Sequence, residues 1–337
     1  MNYRNFTIFL LLLVFFFSSC KRNRLKVNVS DINVNLEITR FDQELFNLPE
    51  NNFSEEIKNL RTANPEFFDL FTYRMINIGG IGDEFFFDGL NRFLTDTMVV
   101  NVKNITENNF SHFNKTEKEL KKAFQHYRYY FPDKKIPKIY TCISGFNQSV
   151  VVAEGLIGAS LDKYLGADCR YYDILGLPEY KQQKMYPARL PVDMMYGWAT
   201  TEFLKSRNES NLLSHMIHEG KLMYFTDAMF PKTHDTIKIG YTAKQINWCK
   251  NNEARMWANL IENKRLFTTD RMSIKRFIDD SPYTNGFPLE SPGRAGVWIG
   301  WQIVRQYMDK NPEVTLQQLM ETNDSQKILN GSKYLPD

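Results

Sequence analysis

The sequence predicts an α+β fold, with a β-rich N-terminal half and a helical C-terminal half. Three observations carry that prediction. Apolar and polar residues alternate from Asp31 to Thr39, β-rich runs recur between Ile136 and Tyr164, and beyond Asn211 the apolar spacing becomes helical. No internal repeat and no Pro/Ser/Gly linker divides the chain, so residues 31–337 read as a single domain.

The elements follow in order. Ile32, Val34, Leu36 and Ile38 alternate with Asn33, Asn35, Glu37 and Thr39, the pattern of a half-buried strand. Pro65 to Ile78 and Glu84 to Leu94 are aromatic-rich helical runs joined by Gly79, Gly80 and Gly82. Asn114 opens a helix, with Glu117 three residues on as in a capping box. Its apolar residues Leu120, Ala123, Phe124, Tyr127 and Phe131 keep helical spacing until Pro132 stops it. Ile139 to Ile143 and Val150 to Ala153 are strand-like, separated by Gly145-Phe146-Asn147. Asn211 to Phe230 is a helix that is apolar nearly all round, which predicts a central, buried position. Thr242 with Gln245 caps the next helix, which runs to about Asn263. Ser291-Pro292 starts a third, with proline at the first helical position. Gly293, Gly296 and Gly300 line one of its faces and admit a close neighbour, and Thr315 with Gln318 opens a last short helix.

Composition narrows the function. The chain has 337 residues, of which 43% are hydrophobic and 14% aromatic, enough for a large core and unlike a disordered or disulfide-scaffold protein. Its 42 basic and 39 acidic residues give a net charge of +3, too even for a dedicated nucleic-acid binder. The four cysteines include no CxxC pair, which argues against a zinc ribbon or a thioredoxin-like site.

The first residues give an address. After Arg4 the run Phe6 to Phe17 is apolar except for Thr7. At about 1.5 Å per residue it spans roughly 18 Å as a helix, short of a hydrocarbon core of about 30 Å. Ser18, Ser19 and Cys20 follow, in the manner of a bacterial lipobox. Residues 1–19 therefore read as a lipoprotein signal peptide and Cys20 as the site of lipid attachment. Residues 20–30 read as a tether whose Lys21, Arg22, Arg24 and Lys26 lie near anionic headgroups. Cleavage removes Arg4 and acylation removes the new amino-terminal charge, taking the formal charge from +3 to +2. Cys142, Cys169 and Cys249 remain, and Cys249 sits on an apolar helix face. The absence of Asp after Cys20 fits the outer membrane, with the folded body in the periplasm.

Candidates for chemistry are few. His215, His218 and Glu219 share a helix face at i, i+3 and i+4, and these are plausible zinc ligands. The chain contains no His-Glu-x-x-His, so a polar stripe satisfied by neighbours is the preferred reading and no catalytic residue is assigned. Glu253 lies in the middle of the apolar face formed by Ile246, Cys249, Met256, Trp257 and Leu260, and there it needs a partner. His218, His215 and Arg294 are its candidates, which predicts a buried polar network joining Glu219, Glu253 and Arg294 or a histidine. No Gly-x-Ser-x-Gly, Walker or dinucleotide loop is present.

Several strings resemble one family. Arg40-Phe41-Asp42, Ile143-Ser144-Gly145-Phe146-Asn147 and Ser160-Leu161-Asp162-Lys163-Tyr164-Leu165-Gly166 come first. Met216 to Lys221, Ile239-Gly240-Tyr241-Thr242, Trp248 to Glu253, Glu290 to Arg294 and Ile299 to Val304 follow. Together, and in this order, they resemble the gliding-motility lipoprotein GldB family of Bacteroidetes over almost the whole mature chain. The resemblance implies an envelope lipoprotein of a gliding-type or other envelope machine, with the membrane and other envelope proteins as partners and no nucleic acid. That family is in turn distantly similar to zincin-like metallopeptidases, which implies a zincin-like layout. In those proteins a His-Glu-x-x-His helix precedes a Glu-Gly segment like Glu219-Gly220. The corresponding stretch here, near Met194 to Phe203, supplies Glu202 but no histidine. The expectation is a non-catalytic assembly or interaction component without a cofactor. The rival is a metal-dependent hydrolase using His215, His218 and Glu219 or Glu253 with zinc.

Overall fold

The computed structural model describes residues 24–49, 51–205 and 210–336. The signal peptide and Cys20 lie outside the described residues. The architecture is mixed α+β, with helices on both faces of a small four-stranded sheet. Its strands are β1 (Ile38–Thr39), β2 (Lys138–Cys142), β3 (Val150–Ala153) and β4 (Leu156–Ser160), in the order β1-β2-β4-β3. The β1–β2 and β2–β4 pairs are parallel, and β3–β4 is an antiparallel hairpin turned by Glu154-Gly155.

The N-terminal half is thus not β-rich, since helices such as Phe53–Ala63 and Thr97–Asn109 outweigh its short strands. The alternation from Asp31 to Thr39 survives as burial, with Val34 inside and Asn33, Asn35 and Glu37 exposed, but only its last two residues join the sheet. The register explains why. Ile38 pairs with Ile139, which places Leu36 opposite Pro137, a residue with no N–H to give the ladder. Strand β4 also comes between β2 and β3, so Gly145-Phe146-Asn147 leads to a crossover and not to a hairpin.

Both faces of the sheet are covered. Tyr140, Cys142 and Leu156 face an aromatic cluster built on Phe41, Phe67, Phe68, Phe71 and Phe86. Ile139, Ile157 and Ala159 point the other way, into the main core. Strands buried on both faces lose the polar half of their alternation, so β4 reads Leu-Ile-Gly-Ala-Ser without a period-two signal.

Five long helices carry the main core: α1 (Asn114–Tyr130), α2 (Leu190–Glu202), α3 (Leu212–Met229), α4 (Ala243–Glu262) and α5 (Ala295–Lys310). Capping boxes form at Thr242 with Gln245 and at Thr315 with Gln318. Helix α5 starts three residues later than Pro292, at Ala295. Arg294 takes the left-handed conformation (φ 63°) just before it, and Thr284 Oγ1 accepts the Ala295 N–H at 2.9 Å. Helix α3 is central and contacts α1, α2 and α5. It meets α5 where Gly220 lies on Gly300. A methyl group built on Gly300 would overlap the Met216 carbonyl oxygen, and one built on Gly220 would overlap the Gly300 carbonyl. Trp298 and Trp301 flank this crossing, both fully buried, edge to face with centroids 5.9 Å apart. Among the described residues, no helix is long and apolar enough to cross a membrane.

The crossing makes a specific prediction. Gly300→Ala should lower stability by about 2–3 kcal/mol, because backbone and not a flexible side chain must yield. Gly82→Ala, with nothing within 4 Å of the added carbon, should leave the melting temperature unchanged. Equal melting temperatures for the two variants would refute the close approach.

Candidate functional site

Helix α3 holds His215, His218 and Glu219 on one flank, and all three are half-buried. The Glu219 carboxylate accepts hydrogen bonds from the Tyr196 hydroxyl of α2 and, at 3.4 Å, from Arg294 Nη2. Arg294 Nη2 also lies 3.4 Å from the Tyr196 hydroxyl, and its Nε lies 4.0 Å from Asp280. Asp280 in turn receives Lys184 Nζ at 2.6 Å. The row Glu219, Arg294, Asp280, Lys184 alternates in sign and sums to zero. Burial pushes the Tyr196 phenol well up, and the charge of Glu219 adds to this. The phenol is therefore a fixed donor to the carboxylate, not a group that titrates.

The two histidines are neutral at pH 7. Burial, reinforced by Lys221, Lys205 and His215, lowers His218 to about 4. Burial and Lys205 lower His215 as well. A neutral imidazole can bind a metal ion, and the carboxylates that could join it have other partners here. Glu219 is engaged by Tyr196 and Arg294, and Glu202 by Lys134 at 2.7 Å and Tyr127 at 3.1 Å. Among the described residues no group of three or more His, Cys, Asp or Glu side chains is placed to hold a metal ion, whereas a zinc site needs at least three protein ligands.

Glu253 does not join Glu219 and Arg294. One carboxylate oxygen accepts from Trp298 Nε1 at 2.9 Å and the other from the Tyr334 hydroxyl at 2.7 Å. It needed partners, and neutral donors from α5 and from the C-terminal segment supply them. Tyr334 also packs edge-on against Trp257, so Glu253 anchors the C-terminus to α4. Cys249 beside it is a buried thiol, pushed up by burial and then by Glu253. Cys142 and Cys169 are free thiols as well.

Sequence reasoning missed the densest cluster. Asp227 of α3 is 4% exposed and accepts from Lys238 Nζ at 2.7 Å, Arg305 Nε at 2.7 Å and Trp301 Nε1 at 2.8 Å. Arg305 also grips Asp235 through two bonds of 2.8 and 2.9 Å and lies 3.7 Å over the Trp301 ring. Two carboxylates thus meet two cations, and the clasp joins α3, α5 and the short helix Asp235–Ile239. The signal was available, because an acid in a helix that is apolar all round demands a partner just as Glu253 does. Asp162 was missed too. It is fully buried, holds the Phe146 N–H at 2.6 Å and is raised to about 6 by burial, against the opposing pull of its hydrogen bonds.

A family model described as gliding motility protein GldB matches residues 22–336. No curated protein and no solved structure matches the chain.

The depressed His218 pKa sets a pH dependence. With about 6.5 in the unfolded chain and about 4 in the folded one, protons bind the unfolded state first as pH falls. Stability is therefore complete above 6.5 and is lost progressively between 6.5 and 4. His218→Gln should retain about 1–2 kcal/mol more of its pH 7 stability at pH 5 than the wild type does, after allowance for partial exposure. Urea titrations at both pH values check this, and identical losses would contradict it.

Proposed function

The chain belongs to the gliding motility protein GldB family, and on that premise we propose that it is a lipid-anchored, non-catalytic assembly or interaction component of an envelope machine. The family match carries the reading: it begins two residues after Cys20 and runs to the end of the body. We place the acyl chains on Cys20 in the outer membrane and the body in the periplasm, with other envelope proteins as partners and no cofactor.

The start of the described chain supports a close attachment. Arg24 donates to the Met308 and Val314 carbonyls at 2.7 and 2.6 Å, and Leu25 is buried. Only four peptide steps separate Cys20 from Arg24, at most about 14 Å of extended chain. The engagement of the interior carboxylates supports a structural role for them. Glu219, Glu253 and Asp227 each accept from two or more fixed donors, an arrangement that suits holding helices together better than taking protons from water.

A divergent zincin-type hydrolase is the second reading, favoured by the two neutral imidazoles His215 and His218 one turn apart on α3. One set of preparations tests both. Cells making the full chain should yield a fatty-acylated protein in the outer-membrane fraction, and Cys20→Ser should lose the acyl label and leave that fraction. Purified protein should carry no zinc that depends on His218. One zinc per chain, lost in His218→Ala, would overturn the non-catalytic reading in favour of the hydrolase.

A further inference from the structure

A groove of about 920 Å³ runs between the start of the described chain and α1. Six lysines line it: Lys26, Lys115, Lys118, Lys121, Lys122 and Lys232. All are exposed, and Glu119 is the one carboxylate among the lining residues. Its floor is apolar, with Val29, Val192, Met229 and Phe230. The buried His126 also lines it, 1% exposed and with Nδ1 lacking a hydrogen-bond partner.

This arrangement concentrates positive charge on one side of α1, and Glu119 offsets only part of it. Lys115, Lys118 and Lys122 stand three and four residues apart on one helix face, where like charges repel. Among the described residues, none of the six lysines is in an ion pair. Such a surface is stabilised by an external anion. The wall of the groove formed by Lys26 to Ser30 continues directly from Arg24, which is pinned to the body within about 14 Å of the acylated residue. Arg24 itself lines a neighbouring cleft with Tyr129 and Tyr130, so the groove begins where the tethered segment meets the body and runs from there along α1.

We propose that this lysine-rimmed groove is the membrane-facing surface of the protein, docking on the phosphate headgroups of the bilayer in which its own acyl chains sit. Lysines supply the charge complementarity, and the apolar floor suits the glycerol and upper acyl region that a headgroup carries with it. The orientation of the body follows: α1 lies against the bilayer. This inference rests on acylation at Cys20, and the test separates the two.

The mature acylated protein is reconstituted into vesicles of phosphatidylcholine alone and of phosphatidylcholine with phosphatidylglycerol in equal parts, then acetylated briefly and mapped by mass spectrometry. Lys115, Lys118, Lys121 and Lys122 should be acetylated about fivefold more slowly on the anionic vesicles, while Lys58 and Lys250 outside the groove react equally on both. High salt should abolish the difference. Lys118→Glu/Lys122→Glu, checked for an unchanged melting temperature, should lose the protection of Lys115 and Lys121 while keeping its acyl mass. An acylated protein whose groove lysines react equally on both vesicles overturns the docking surface and leaves the anchor intact. A chain without acyl mass at Cys20 overturns the anchor and this proposal with it. Protection in cells but on neither vesicle would assign the groove to an acidic protein and also refute the bilayer.

Discussion

Where Gly220 of α3 meets Gly300 of α5, two helix backbones touch with no side chain between them. Carbonyl oxygens occupy the space a Cβ would need, so the two helices stay in register only while both positions remain glycine. Met216, Trp298 and Trp301 close around the contact and are buried to 1% exposure or less. Each such side chain contributes roughly 1.5–3 kcal/mol by leaving water, so small displacements of the crossing act on a large sum. The remaining helices and the sheet pack outward from this pair.

A helix buried on every side leaves its polar residues little choice. Asp227 and Glu219 must find donors on neighbouring elements, and these donors set which elements can lie there: α5 and the 235–239 helix for Asp227, α2 and the loop before α5 for Glu219. Removing one partner from such a set costs more than the pair itself contributes, since the other charge stays behind unmatched. Glu253 does the same for the C-terminus with neutral donors. Around Asp227 and Glu219 interior charge is matched by opposite charge, whereas Glu253 and Asp162 rely on neutral donors. On the outside, the lysine row of α1 has no ion pair among the described residues.

Much of this was legible from residue order, and the failures have physical causes. The burial of α3 followed from an apolar circumference, the capping boxes from Thr-x-x-Gln, and the glycine face of α5 from its spacing. Strand β1 was overextended because alternation reports burial, whereas a ladder also needs a partner strand, and Pro137 ends it. Strand β4 was overlooked because two covered faces erase alternation. The start of α5 was misplaced because its cap comes from Thr284, a residue remote from any local motif. For Glu253 the need for a partner was readable but the partner was not: Trp298 and Tyr334 meet it only through the path of the chain. The partners of Asp227, and Tyr196 as a partner of Glu219, were hidden for the same reason.

Native-state hydrogen exchange tests the keystone role of the α3–α5 crossing most directly. The account predicts that the amides of 213–229 and 297–310 exchange most slowly, with one common free energy equal to that of global unfolding. Exchange of either helix through a smaller opening, while the outer helix Phe53–Ala63 stays protected, would contradict it.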